Sequence, residues 1–193
     1  MPAGLPLQPR VELLSQGARS SEVFFLVSGL VKLVHVESDG RELILGLRLP
    51  GSFIGSSAAI VGGDCTVSAV TVTPCRVQRT SAHAFRALLE ADPKFSWQVH
   101  LSHGREIESN AGRLGELGCL RSRDRVESVL RALAAAVPTS PPPNDQRIRV
   151  PMRHYEIARL VAVTPEHLSR LLHELQDRGR IRLEARSIVL LGT

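Results

Sequence analysis

The chain is poor in cysteine, in lysine and in long apolar runs. Cys65, Cys75 and Cys119 are its three cysteines, scattered and without a Cys-x-x-Cys pair. That spacing excludes a disulfide framework and a thiolate zinc site, and it predicts three free thiols in a reducing cytoplasm. No apolar run approaches the roughly 18–20 residues of a membrane span. Met1 to Pro9 has neither the basic start nor the apolar stretch of an export signal. No membrane partner is expected. Lys32 and Lys94 are the only lysines among 24 basic residues. The rest are arginines, whose planar fork suits phosphates and base edges.

What is present is unevenly distributed. Residues 1–92 hold 8 basic and 8 acidic side chains, whereas residues 93–193 hold 16 basic and 11 acidic ones, so the whole net charge of +5 sits in the second part. From Asn144 onward the excess is +3, and the rest comes from the stretch where Arg121, Arg123 and Arg125 cluster. A basic half beside a neutral half points to a polyanion-binding module attached to something else. The hydrophobic fraction of 43% is enough for packed cores in one or two domains.

The first part reads as short strands. Val23–Val27 is β-prone and ends on Ser28-Gly29. Leu30–Val36 alternates, with Val31, Leu33 and His35 predicted on one face and Lys32, Val34 and Val36 on the other. Ser38-Asp39-Gly40 is a hairpin turn, and Glu42–Leu49 returns. Thr66–Thr73 alternates again, with Val67, Ala69 and Thr71 on one face. Many short strands at close spacing imply a β-sandwich or barrel.

Helical periods then take over. Ser81 is placed to cap a helix carrying Phe85, Leu88 and Leu89, and Asp92-Pro93 opens a second one. From Phe95 to about Leu120 there is no proline, and Trp97, Leu101, Ile107, Leu114 and Leu117 recur at helical spacing. Gly104, Gly112, Gly115 and Gly118 interrupt this run. They read either as tolerated weak points or as places of close helix–helix approach or a deformable segment. Ser122 or Asp124 starts a further helix, and Val137–Asp145, rich in proline, is a stiff connector.

Residues 147–193 are the most informative. Arg147–Val150 alternates as a short strand, Tyr155–Val161 is helix-compatible, and Ala162-Val163-Thr164 is a compact turn. Thr164 is an N-cap candidate, Pro165 suits the first helical position, and Glu166 suits the positive helix end. Leu168, Leu171, Leu172 and Leu175 form one apolar face, Gly179 ends the helix, and Ile181–Leu191 folds back as a hairpin with Arg186 near its tip. Helix, tight turn, capped helix and basic hairpin make a winged helix-turn-helix. In such a unit the second helix enters the major groove with its N-terminal residues against base edges. Glu166, Ser169 and Arg170, spaced by three and four, face away from the leucines. Arg contacts guanine bidentately and Glu accepts from cytosine, each worth roughly 1–3 kcal/mol of discrimination.

These motifs resemble the Crp/Fnr family of transcription regulators over nearly the full chain. The carriers are Phe24–Leu33, Gly40-Arg41-Glu42, Leu49–Gly55 and Glu156–Arg170. The resemblance implies an α+β fold: residues 1–92 a double-stranded β-helix (jelly-roll) sensor, 93–121 a homodimerising helix and hinge, and 122–193 the winged helix-turn-helix. It implies double-stranded DNA, a second copy of the chain, RNA polymerase and a small-molecule effector as partners. Glu166, Ser169 and Arg170 match the base-reading pattern E-x-x-S-R of Fnr-type members, with TTGA-like palindromic half-sites. Arg153 and Thr164 match phosphate-contacting positions. Pro165, His167 and Arg186 fall at the edge or backbone of the half-site.

The sensor departs from the family's cyclic-nucleotide members. They carry Gly-Glu in the phosphate-binding cassette and an Arg about ten residues later. Here Gly55 is followed by Ser56, and the Arg position falls at Cys65 or Thr66. Neither replaces a guanidinium, so cyclic AMP or GMP is not expected. Ser56, Ser57, Cys65, Thr66 and Asn110 are the candidate effector contacts. Residues 1–60 contain no cysteine, which argues against an iron–sulfur sensor. Haem on His35, His83, His100 or His103 stays open, and no other cofactor is expected. Cys65 and Cys75 read as buried free thiols or as a redox pair. Two further alternatives are a cupin-like metal enzyme, which would need more inward histidines than the roll offers, and a ligand sensor acting through a protein partner.

Overall fold

The structure, a computed structural model, describes residues 4–136, 147–148, 151–184 and 187–191. The chain divides into two compact units, Met1–Gly112 and Arg113–Thr193.

The first unit holds β1 (Leu5–Leu7), β2 (Glu12–Leu14), β3 (Glu22–Ser28), β4 (Val31–Val36), β5 (Glu42–Arg48), β6 (Phe53–Ile54), α1 (Ser56–Val61), β7 (Ser68–Thr71), β8 (Cys75–Ser81), α2 (Ala82–Ala91) and most of α3 (Pro93–Cys119). Its strands form two four-stranded sheets, β1-β8-β3-β6 and β2-β7-β4-β5. Phe24, Leu26, Val31, Ile54, Ala69 and Val77 pack into the core of this roll. A second cluster, Val23, Ala59, Ala82, Phe85 and Val99, binds α1, α2 and α3 to β3. Phe95 meets both Phe53 and Phe85 edge-on at 5.7 Å, an arrangement aromatic quadrupoles favour. Gly29, at φ +99°, makes the turn from β3 to β4, and a Cβ there would lie 2.6 Å from the Cys75 sulfur. A side chain is excluded at that point twice over, by φ and by contact.

Several expectations are met, and some are corrected. Ala69 and Thr71 are buried as the alternation predicts. The Ser81 hydroxyl accepts from the Ala84 N–H at 3.1 Å, and Asp92 accepts from the N–H groups of Lys94 and Phe95 at 2.9 and 3.1 Å. The simple alternation of β4 fails. Val31 and Val34 are buried, while Leu33 and His35 are only half-buried. The ladder with β5 slips by one residue between Leu33 and Val34, leaving Leu45 unpaired. Such a bulge adds twist and re-aims the side chains around it. β1, β2 and α1 were not foreseen, because each is too short to show a period. The apolar residues of α3 also do not form one stripe. Val99 is buried, Leu101 and Leu117 are half-buried, and Trp97, Ile107 and Leu114 are exposed.

The second unit contains the end of α3, α4 (Ser122–Ala136), β9 (Arg147–Ile148), α5 (His154–Leu160), α6 (Pro165–Asp177), β10 (Ile181–Glu184) and β11 (Ser187–Leu190). β10, β11 and β9 form a three-stranded antiparallel sheet, and Glu184 pairs with Ser187 across the wing turn. Val126, Leu130 and Leu133 from α4, Ile157 and Leu160 from α5, the four leucines of α6, and Ile181 and Ile188 are all buried. The proline-rich connector expected at 137–145 and residues 149–150 lie outside the described residues, as does Arg186 at the wing tip. No helix among the described residues is long and apolar enough to cross a membrane.

Candidate functional site

The second unit builds its outward face from α5, a turn and α6. The Glu156 carboxylate accepts from the Arg153 N–H at 2.9 Å and fixes the start of α5. Ala162 then takes a left-handed conformation, φ 54°, which re-aims the chain. The Thr164 hydroxyl accepts from the His167 N–H at 3.2 Å and caps α6. Pro165 occupies the first turn, where its missing N–H costs nothing. Because Leu168, Leu171, Leu172 and Leu175 are buried, Glu166, Ser169, Arg170 and His173 are left on the open side. These four line one shallow concavity with Glu174 and Asp177. The structure thus brings the three expected base-reading residues together.

The charge state of this face is set locally. Glu166 lies below the ordinary carboxylate range, because its own backbone N–H and the Thr164 hydroxyl donate to it and Arg170 lies nearby. An ionised Glu166 is acceptor-only. The Thr164 hydroxyl therefore donates to Glu166 and accepts from His167 at the start of the helix. His167 is also drawn away from the open face. It is half-buried, and its Nε2 lies 3.0 Å from the Ser122 hydroxyl. Arg153 and Pro165 are exposed.

Sequence reasoning missed the side chains that brace this face. Arg113 donates to the Leu160 carbonyl, and Arg125 donates from Nε to the Val161 carbonyl at 3.2 Å. Two guanidinia thus satisfy carbonyls at the C-terminal end of α5, where the helix dipole favours cations. Arg125 also holds the Leu120 carbonyl at 3.0 Å, across the break between α3 and α4. Part of the basic cluster noted in the sequence is therefore structural. Arg180, just after α6, reaches Glu127 of α4 with Nη2 at 2.6 Å and Nε at 3.2 Å, and Arg131 adds a contact at 2.8 Å. Burial alone would raise the Glu127 carboxyl, but the hydrogen bonds and charges of Arg180 and Arg131 outweigh it and hold it low.

The first unit contains a cavity of about 300 Å³ between the roll, α1 and α3. Ser57, Cys65 and Thr66 line it, as expected, but Ser56 and Asn110 do not. Ser56 is buried, and its hydroxyl donates to the Phe53 carbonyl and meets His103 Nε2, both at 2.8 Å. Asn110 is exposed further along α3. The charged groups in the wall are Arg48, Asp64 and Glu106. Arg48 pairs with Glu106 at 3.3 Å, with both side chains largely buried. The remaining carboxylate oxygen, Glu106 Oε1, is buried and has no partner among the described residues. This pair was missed. Its helical half was readable, since Val99, Ser102 and Glu106 recur at three- and four-residue steps on the inner face of α3.

The remaining sensor candidates do not converge. Among the described residues no three His, Cys, Asp or Glu side chains are placed to hold a metal. His35 faces the Thr66 carbonyl and Glu37, and His100 faces the Ser96 carbonyl one turn back. All three cysteines are free. Burial pushes the Cys65 and Cys75 thiols up, and Cys75 donates to the carbonyls of Thr73 and Leu30 at 3.2 and 3.4 Å.

Known proteins share this arrangement. Residues 5–92 match the cyclic nucleotide-binding domain, and residues 124–192 match the Crp-like helix-turn-helix domain. The chain is 26% identical over 182 residues to the cAMP-activated global transcriptional regulator CRP of Escherichia coli O6:H1, covering 94% of this chain and 86% of that protein. It is likewise 26% identical over 190 residues to the CRP-like protein Clp of Xanthomonas euvesicatoria, covering 95% of this chain and 82% of Clp. Among solved structures, the c-di-GMP-responsive regulator CLP of Xanthomonas campestris has a TM-score of 0.84 at 24% identity, covering 98% of this chain and 93% of that one. FixK2 of Bradyrhizobium japonicum has a TM-score of 0.83 at 21% identity, covering 100% and 94%. These structural likenesses speak for the fold.

Proposed function

The chain belongs to the Crp/Fnr family of transcription regulators, and from that premise we propose that it is a homodimer that reads a two-fold DNA palindrome under control of its roll. Relatives of this kind are regulators rather than enzymes. The observation that carries the reading is α6. A helix capped by Thr164 and seated on four buried leucines leaves Glu166, Ser169 and Arg170 open on one side. Arg170 reads guanine bidentately and Glu166 accepts from the cytosine amino group, giving TTGA-like half-sites one helical turn apart. Arg153, exposed beside the start of α5, grips backbone phosphate. His167, turned to Ser122, supports the helix instead of touching DNA.

The exposed stripe of α3 supports the dimer. Trp97, Ile107 and Leu114 are 63%, 68% and 70% exposed, too apolar to face water by preference. Trp97, Gly104, Ala111 and Gly118 recur every seventh residue, and His100, Ile107 and Leu114 fill the interleaved positions, as in a two-helix seam. A Cβ at Gly104 or Gly118 would meet open space, so nothing among the described residues needs those glycines. Close approach of a second copy does. Control is a shift between two orientations of the reading units about the segment Leu117–Ser122. An effector moves that equilibrium only by its unequal affinity for the two states. The promoter-bound dimer would then meet RNA polymerase. The alternative of a sensor acting only through a protein partner has no observation in its favour comparable to α6.

A gel shift tests the reading. At about 150 mM salt, where bulk phosphate attraction is weakened, the chain should prefer a TTGA-N6-TCAA palindrome to scrambled DNA. Arg170→Ala should erase that preference with a loss of about 1–3 kcal/mol, whereas Arg153→Ala should weaken all sequences alike. Equal binding to both DNAs by the unaltered chain, with or without added effector, sinks the specific site.

A further inference from the structure

Resting on the reading that the roll takes an effector, we infer that its cavity is built for a small electroneutral molecule that donates to Glu106 and accepts from Arg48, and that it excludes phosphate esters. Three observations support this. First, the wall holds one cation, Arg48, against two carboxylates, Asp64 and Glu106. The cation is already neutralised, because its Nη2 donates to Glu106 Oε2 and its Nη1 donates to the Leu47 carbonyl at 3.2 Å. An anion entering here would face a net negative lining, and a buried charge without a partner is costly. Second, Glu106 Oε1 is buried with no donor among the described residues. That oxygen is closed to the cavity, so a ligand N–H or O–H is accepted by the rest of the carboxylate, whose side chain is 22% exposed and whose Oε2 takes the Arg48 bond and keeps a lone pair. Third, the guanidinium keeps N–H groups beyond those two bonds, so an acceptor is served from the same pair.

Size and wall complete the class. At roughly 30 Å³ per liquid water, about 300 Å³ is space for on the order of ten waters, or one ring-sized molecule. Leu14, Leu33, Ile54 and Val67 supply apolar walls. An apolar ring whose edge carries a donor beside an acceptor, as in a lactam or a neutral nucleobase, matches the pair. The ion pair joins β5 to α3, so filling the cavity acts on the helix proposed as the dimer seam.

The test uses the full chain, calorimetry, and two probes. Hypoxanthine is neutral and carries an N–H beside a carbonyl, and cyclic AMP is the anionic counterpart. Hypoxanthine should bind and cyclic AMP should not bind at the same concentrations. Glu106→Gln keeps the shape, turns one oxygen into a donor and leaves Arg48 unneutralised. It should weaken hypoxanthine at least tenfold and admit cyclic AMP. Tighter binding of cyclic AMP than of hypoxanthine to the unaltered chain overturns the inference, as does binding of neither probe. Should Glu106→Gln not fold, the comparison of probes on the unaltered chain still decides. An unchanged preference in a folded Glu106→Gln chain also overturns it. Palindrome binding is scored separately: no preference for the palindrome either with or without hypoxanthine counts against the regulator, and a preference kept while neither probe binds counts only against the pocket.

Discussion

Ala162 holds the one left-handed backbone position between α5 and α6, at φ 54°. A residue with a Cβ takes that conformation at a cost of roughly 1–2 kcal/mol, and glycine takes it without the steric penalty. Part of the gain is returned through the freer unfolded chain. Ala162→Gly should therefore stabilise the second unit by about 0.5–1 kcal/mol, read as a raised midpoint in urea, with palindrome affinity unchanged or better. A lowered midpoint would mean that the Cβ makes a contact worth more than the strain. At this same scale the sequence was legible wherever a helical period set a direction. Glu166, Ser169 and Arg170 follow from the leucines opposite them, and Thr164-Pro165 follows from cap chemistry. The bond of His167 was not foreseen, because its partner, Ser122, is 45 residues away. Arg48 and Glu106 were not found as a pair for the same reason, being 58 residues apart.

Between elements, the clamp of Glu127 by Arg180 and Arg131 ties α4 to the chain leaving α6. The carboxyl is held below its usual range. A group with a lowered folded value contributes stability that is full above the unfolded value, about 4.3 for glutamate, and is lost as pH falls through the folded one. Glu127→Gln should cost about 1–3 kcal/mol at neutral pH, the size of a charged hydrogen bond. The deficit against the unaltered chain should shrink as the pH drops below the ordinary glutamate range, in paired urea titrations. A deficit independent of pH would mean that the carboxylate charge contributes nothing. Elements also mark where periodicity fails as a guide. The long helices and the wing were readable because each spans several turns or a full alternation. β1, β2, β6 and α1 are two to six residues long and owe their form to neighbours. The slip between β4 and β5 has no signature in β4 itself, because the extra residue, Leu45, lies on the other strand.

For the whole molecule, the proposed function depends on two reading helices presented together, and therefore on α3. Trp97, Ile107 and Leu114 on it are exposed, with Ile107 and Leu114 two turns apart on the same side. A palindrome rewards a dimer because the second half-site is met at a high effective concentration, worth about 10²–10⁴ in affinity. Replacing both Ile107 and Leu114 by glutamate places like charges opposite each other in the seam while leaving the buried face of α3, with Val99 and Ser102, intact. The altered chain should sediment as a monomer with an unchanged circular dichroism spectrum. It should lose about 10²-fold or more on the palindrome, yet bind an isolated half-site as weakly as the unaltered chain does. A chain that stays dimeric, or keeps full palindrome affinity as a monomer, would place the subunit contact elsewhere and return the glycines of α3 to the status of tolerated weak points.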